Sequence, residues 1–103
     1  MSTLSTHVLD TSTGSPGSGM EVRLMRWVGD GWVDPVTETT DDDGRISFGE
    51  VGAGRFRLAF ETGAYGNEMY PYVHVVFEMT ADRDHYHVPL LLSPYGYSTY
   101  RGS

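Results

Sequence analysis

The chain has 103 residues and a hydrophobic content of 39%, which predicts one globular domain over residues 1–103 with no room for a second core. Cysteine is absent, which excludes disulfides and thiolate chemistry, and seven arginines stand against fourteen acidic residues, giving a net charge of −7. We therefore expect no nucleic-acid partner, which needs a basic surface. Without a long apolar run or a signal-peptide pattern, we also expect no membrane association and a cytoplasmic location.

Short strand-like runs recur along the chain between turns rich in Gly, Pro and Asp, a pattern typical of all-β proteins. Eight strands are predicted near Leu4–Asp10, Glu21–Val28, Gly31–Thr39, Arg45–Phe48, Arg55–Phe60, Tyr72–Met79, His85–Leu92 and Tyr97–Arg101. Between the sixth strand and its predecessor, Thr62–Met69 is compatible with either one short helix or a loop. Strands at this spacing favour a Greek-key β-sandwich.

Side chains alternate most clearly along the seventh strand. Its apolar face comprises Tyr86, Val88, Leu90 and Leu92. The opposite face carries His85 and His87. On the first strand, Thr6 and Val8 alternate with Ser5, His7 and Leu9, so the face of His7 carries small and apolar neighbours. A polar face on a strand whose other face is buried is a place where a site forms when another subunit covers the sheet.

Histidine is the natural acid–base group near neutral pH. Residue type alone favours a structural or surface role for a strand histidine such as His7. His74 is expected at the surface or at an oligomer edge, and His85 at the surface beside an acidic turn. Arg45 follows another acidic turn, so composition alone suggests a solvated cation.

Other kinds of site are less well supported. His85 and His87 have a ligand-like spacing, but they do not complete a zinc pattern. There is no G-x-S-x-G nucleophile elbow, and the glycine-rich turns lack the following helix that a phosphate loop requires. We therefore expect neither a metal nor a cofactor.

Six strings occur in order between residues 4 and 103: LSTHVLDTSTGSP (4–16), DGR (43–45), FETGAY (60–65), VVFE (75–78), HVPLLLSP (87–94) and YRGS (100–103). Together they resemble the 5-hydroxyisourate hydrolases of the transthyretin-like family. The resemblance implies an all-β, transthyretin-like Greek-key sandwich of about eight strands, assembled as a homotetramer with its sites in a cleft between dimers.

The same resemblance implies cofactor-free hydrolysis of 5-hydroxyisourate to 2-oxo-4-hydroxy-4-carboxy-5-ureidoimidazoline, a step of urate degradation. The implied catalytic residues are His7, Arg45 and His87. The implied substrate-binding residues are Tyr100, Arg101 and Ser103. Which histidine acts as base and which as acid stays open at this point.

The main alternative is a transthyretin-type protein that binds a small aromatic ligand without catalysis. Such a protein would prefer an open channel lined by hydroxyl and alkyl groups. Here two histidines, an arginine and Tyr100 would fill or polarise that channel, which favours the hydrolase. A structural or carbohydrate-binding sandwich would not account for the tail.

Overall fold

A computed structural model describes residues 2–102 of the chain and shows ten strands and one helix in that range. The elements are β1 Thr3–Asp10, β2 Ser15–Pro16, β3 Glu21–Val28, β4 Gly31–Thr39, β5 Arg45–Glu50, β6 Gly54–Phe60, α1 Thr62–Tyr65, β7 Val73–Met79, β8 His85–His87, β9 Leu90–Ser93 and β10 Gly96–Thr99. The predicted all-β sandwich is confirmed.

The strands form two sheets around one apolar core. In the first sheet, β1 lies at the centre. It pairs antiparallel with β2 and β5 and parallel with β8 and β9, and β10 adds antiparallel to β9. The second sheet is antiparallel throughout, in the order β4-β3-β6-β7. The strands β7 and β10 therefore lie at sheet edges.

The predicted strand His85–Leu92 is divided into β8 and β9. Pro89 lies between the two, and it has no N–H to donate to a neighbouring strand. The buried Thr6 hydroxyl donates to the Val88 carbonyl at 2.6 Å, and the Val88 N–H donates to the Ser5 carbonyl at 3.0 Å. These bonds hold the segment between β8 and β9 against β1, so the side chains keep alternating between the two faces of the sheet. The predicted apolar face, Tyr86, Val88, Leu90 and Leu92, is buried in the core.

Several predicted strand boundaries are wrong, and β5 continues to Glu50 instead of ending at Phe48. The last strand, expected at Tyr97–Arg101, ends at Thr99, whose hydroxyl donates to the Pro89 carbonyl at 2.8 Å. Pro89 offers no N–H, so the ladder between the two strands stops there. Within Thr62–Met69, only the single turn α1 is helical, and it ends before Gly66, which has a left-handed φ of 125°.

The core lies between the sheets and takes side chains from both. Its fully buried members are Leu4, Val8, Val22, Leu58, Phe60 and Leu90. Because β1 buries alternate residues on one side, Ser5 and His7 are left on its outer face, each half-buried. No helix between residues 2 and 102 is long and apolar enough to span a bilayer.

Candidate active site

His7 and Arg45 are cross-strand partners in the register between β1 and β5. A tight turn fixes this pairing, because the Asp41 carboxylate accepts the Arg45 backbone N–H at 2.9 Å. Gly44 closes the turn with a φ of 74°, and a Cβ at that position would lie 2.4 Å from the Val8 carbonyl oxygen. Only glycine fits this backbone conformation and this close approach. The DGR turn therefore places Arg45 on the strand beside His7.

His87 lies on β8, which pairs with β1 along the edge opposite to β5. The parallel pairing of β1 with β8 puts it opposite Ser5, whose Oγ is 2.8 Å from the His87 Nδ1. The tail covers the same residue, since the Gly102 N–H donates to the His87 carbonyl at 2.7 Å. A Cβ on the buried Gly102 would be only 2.6 Å from the imidazole Cδ2. The ring is thus held between a hydroxyl group and the backbone of the chain end.

Burial lowers the pKa of the His87 imidazole below its usual value, and the nearby positive charge of Arg45 lowers it further. Protonation of His7 or of His85 would have the same effect, whereas the Ser5 carbonyl opposes it. His7 and Arg45 therefore lie close enough to His87 to influence its charge. A lowered pKa keeps the His87 imidazole neutral, and so able to accept a proton, at neutral pH.

His85 is exposed, as the sequence predicts, but it also belongs to this cluster. Its Nε2 lies 3.0 Å from the Ser5 Oγ, and its Nδ1 lies 2.6 Å from the Thr3 Oγ1. Sequence reasoning missed Ser5 and Thr3. The available signal was their spacing from His7 at intervals of two residues, which puts all three on one face of a strand.

Tyr100 and Arg101 are placed differently. They line a groove of about 240 Å³ together with Tyr86 and with Val75 and Phe77 of β7, and the histidine cluster is not part of its lining. The structure therefore does not bring these two side chains to His87, although the next residue, Gly102, contacts it. The predicted role of Ser103 lies outside the described residues.

His74 lies in the other sheet, exposed, with its ring stacked on Tyr72 at 4.6 Å between centroids. Partial burial lowers the pKa of this imidazole, Arg57 lowers it further, and Glu61 opposes the shift. This position away from His7 and His87 agrees with the expected surface role.

A larger cavity of about 460 Å³ lies near the end of β1. There the Tyr65 hydroxyl donates to the Asp10 carboxylate at 2.9 Å. A hydrogen bond from Ser12 lowers the pKa of Asp10, and burial raises the pKa of Tyr65. Both shifts move the pKa values further from neutral pH. These two groups are therefore poorly suited to acid–base catalysis, despite the size of the cavity. Over residues 2–102, no three His, Asp or Glu side chains are grouped to hold a metal ion.

Residues 4–102 match the profile of the HIUase/Transthyretin family. The chain belongs to this family. A 5-hydroxyisourate hydrolase of Salmonella dublin is 46% identical over 109 residues, covering 97% of this chain and 80% of that relative. The transthyretin-like fold predicted from the sequence is confirmed.

The solved structures that resemble this chain include both a 5-hydroxyisourate hydrolase and a transthyretin. The Klebsiella pneumoniae 5-hydroxyisourate hydrolase matches with a TM-score of 0.82 and 41% identity, covering 100% of this chain and 94% of the other. Sea bream transthyretin, solved with thyroxine, matches with a TM-score of 0.88 but 28% identity, covering 96% and 93%. Because the backbone resembles both the hydrolase and the transthyretin, the fold alone does not distinguish their functions, and function must be argued from the site residues.

Proposed function

We propose that this protein is a hydrolase that converts 5-hydroxyisourate to 2-oxo-4-hydroxy-4-carboxy-5-ureidoimidazoline in urate degradation. The observation that carries the proposal is that three strands side by side hold the three residues. His7 on β1 and Arg45 on β5 are cross-strand partners, and His87 lies on β8, which pairs with the other edge of β1. Relatives named 5-hydroxyisourate hydrolase, at 41–46% identity, support the same reaction.

Opening the ring requires a water molecule to attack a carbonyl carbon and the adjacent C–N bond to break. A base takes a proton from water as its oxygen adds to the carbonyl, and an acid gives a proton to the leaving nitrogen. We assign these two roles to His7 and His87. The Arg45 guanidinium stabilises the developing oxyanion, and its planar set of donors suits the edge of a urate-like ring.

The tail is proposed to bind substrate through Tyr100, Arg101 and Ser103. Gly102 rests against the ring of His87, so the tail passes directly beside the proposed base or acid. Tyr100 and Arg101, both exposed, line a groove at the edge strand β7. In this proposal they contact substrate in a cleft that another copy of the chain completes.

We also propose that the protein is a homotetramer. Within residues 2–102, each sheet has an edge strand with one unpaired side, β7 in one and β10 in the other, and such edges are readily extended by another chain. Large apolar side chains near them are exposed, including Val76 at 54% and Tyr97 at 44%. The proposed location is the cytoplasm, which fits a chain without cysteine.

The competing candidate is a binding protein of the transthyretin type, favoured only by the high TM-score to sea bream transthyretin. A simple binding channel does not need a neutral imidazole beside a guanidinium. The two candidates differ in turnover, which an ultraviolet assay measures as the loss of freshly made 5-hydroxyisourate above its spontaneous decay.

The test replaces His7 or His87 by Asn in separate variants. Each should remain folded, because neither side chain is part of the apolar core. Each should lower kcat by roughly 10²- to 10⁴-fold, the usual contribution of one acid–base group. His74→Asn is the matched control and should match the wild type. Equal losses in all three variants, or none in the first two, would contradict the assigned roles.

A further inference from the structure

The second sheet has a long exposed edge at β4. The strand order places β4 at one edge and β7 at the other, and residues 33–39 of β4 are all exposed. In the first sheet, β5 and β10 lie at opposite edges in the same way. Residues of β4 and β5 line a shared cavity of about 160 Å³, whereas residues of β7 and β10 line the groove that contains Tyr100. The sandwich formed by residues 2–102 therefore has a β4/β5 side and a β7/β10 side, each with edge backbone groups that another chain could bind.

A β-bulge interrupts the edge strand β4. One residue of β3, Met25, faces two residues of β4, Asp34 and Pro35, because the register of the two strands shifts there. Asp34 has a left-handed φ of 54°, and no other residue between 2 and 102 except glycine has a positive φ. Aspartate tolerates this conformation better than most residues do, and it is the conformation of the first residue in one common type of bulge. Because a bulge bends and twists its strand, a second chain cannot follow β4 in a continuous ladder.

Two further features make β4 a poor template for an added strand. Pro35 has no N–H, so it cannot donate to a neighbouring strand. Glu38 pairs with the buried Val22 and therefore lies on the face of β4 that is turned towards the core, although it is exposed at the edge. A strand added beside β4 would remove this carboxylate from water, which costs free energy unless a cation accompanies it. Natural edge strands use proline, bulges and inward-pointing charges to prevent association.

The strands of the β7/β10 side lack these features. β7 pairs with β6 without a register shift from Val73 to Met79, and β10 pairs with β9 without one from Gly96 to Thr99. Neither strand contains proline. By contrast, β5 shares the irregularity of β4, since its register against β1 shifts beside Gly49, which has a φ of 73°. Both irregular edges therefore lie on one side of the sandwich, and both regular edges lie on the other.

We propose that the Asp34–Pro35 bulge, together with Glu38, prevents other copies of this chain from pairing with β4. Pairing of β7 or β10 with the same strand of a second copy uses one surface twice, and such an assembly closes. Pairing of β7 with β4 of the next copy would use two different surfaces and would repeat without closing. The irregular edge of β4 therefore limits the protein to closed assemblies. This inference concerns assembly and does not depend on the proposed hydrolase activity.

The experiment makes the edge of β4 regular in two ways. Deletion of Pro35 leaves Asp34 alone opposite Met25, which removes the bulge and keeps the register on both sides of it. The double variant Pro35→Val, Glu38→Val keeps the chain length, restores the N–H and removes the charge, so it decides the question if the deletion variant does not fold. Thr39→Val is the matched control, because Thr39 is exposed on the same strand and none of the side-chain hydrogen bonds described between residues 2 and 102 involves it.

Three measurements are made on each variant. Circular dichroism and the midpoint of urea denaturation establish that it is folded. Sedimentation velocity over a range of protein concentrations gives its mass, which is compared with the wild-type mass whether the wild type is a tetramer or smaller. Amide hydrogen exchange of peptides from β4 shows whether this strand is at the contact, because a backbone N–H that pairs with another chain exchanges more slowly.

The wild type and Thr39→Val should keep one mass as the concentration rises. The deletion variant should reach a mass about two or more times larger, which grows with concentration, and its β4 amides should exchange more slowly than those of the wild type. A folded deletion variant with the wild-type mass would overturn the proposal, as would larger assemblies in which the exchange of β4 is unchanged. If the deletion variant does not fold, a double variant with the wild-type mass overturns it. A wild type that itself forms open-ended assemblies also overturns it, whereas a wild type without turnover refutes the hydrolase function alone.

Discussion

Gly102 offers a sharp test of the contact between the tail and His87. Replacing it with Ala would put a methyl carbon 2.6 Å from the imidazole Cδ2 and 3.2 Å from the Cβ and Cγ of His87. Carbon atoms in ordinary contact are about 3.5–4.0 Å apart, so the ring or the tail must move by about 1 Å. Gly102 does not have a left-handed φ, and the effect of the substitution is therefore steric rather than conformational.

A displacement of this size matters more for catalysis than for stability. Misplacing a reacting group by about 1 Å costs on the order of 10²-fold in rate, or about 2.7 kcal/mol of transition-state stabilisation. By contrast, the tail contributes one hydrogen bond to His87, from the Gly102 N–H, and such a bond contributes about 1 kcal/mol to the free energy of unfolding. Gly102→Ala should therefore lose most of its kcat while keeping nearly the wild-type midpoint in urea.

Gly96→Ala is the control, because within the described residues no atom lies within 4 Å of a Cβ built there and its φ is not left-handed. Both variants are measured by the ultraviolet assay and by urea denaturation. If Gly102→Ala turns over 5-hydroxyisourate as fast as Gly96→Ala does, the tail does not position His87 and the reasoning fails.

Two further predictions concern pH and assembly. With His87 as the base, kcat/KM should fall on the acid side with a limb below about pH 6.5, because protonation removes that base and its pKa is lowered by burial and then by Arg45. Arg45→Met should move this limb upwards, and a wild-type limb above about pH 6.5 would contradict the lowered pKa. Sedimentation should give a mass of about four times 11.4 kDa, whereas a fully active monomer would exclude a site shared between subunits.

The alternation of side chains allowed most of the fold to be predicted. It placed Tyr86 and Leu90 in the core and His87 on the opposite face, as the structure shows. The break at Pro89 was missed because alternation continues across it, although the N–H that the ladder needs is absent. The short α1 was not decided by the sequence, since a single turn has too few residues for a helical period to be visible.

The candidate site was predicted less completely. Family motifs indicated His7, Arg45 and His87, which the structure brings to neighbouring strands of one sheet. The hydrogen bonds of Ser5 and His85 could not be predicted, because they depend on the register between β1 and β8, and a pattern within one strand contains no information about its partner. The position of the Tyr100 side chain depends in the same way on where β10 ends.

The central position of β1 ties the two ends of the chain together. Ser5 and His87 are 82 residues apart in sequence, yet their hydrogen bond needs both β1 and β8 to be in place. A ribosome must therefore have released residues 5–87 before this pair can form, and contacts of such long range are made slowly. Enzymatic activity would then require that folding has already joined β1 to β8.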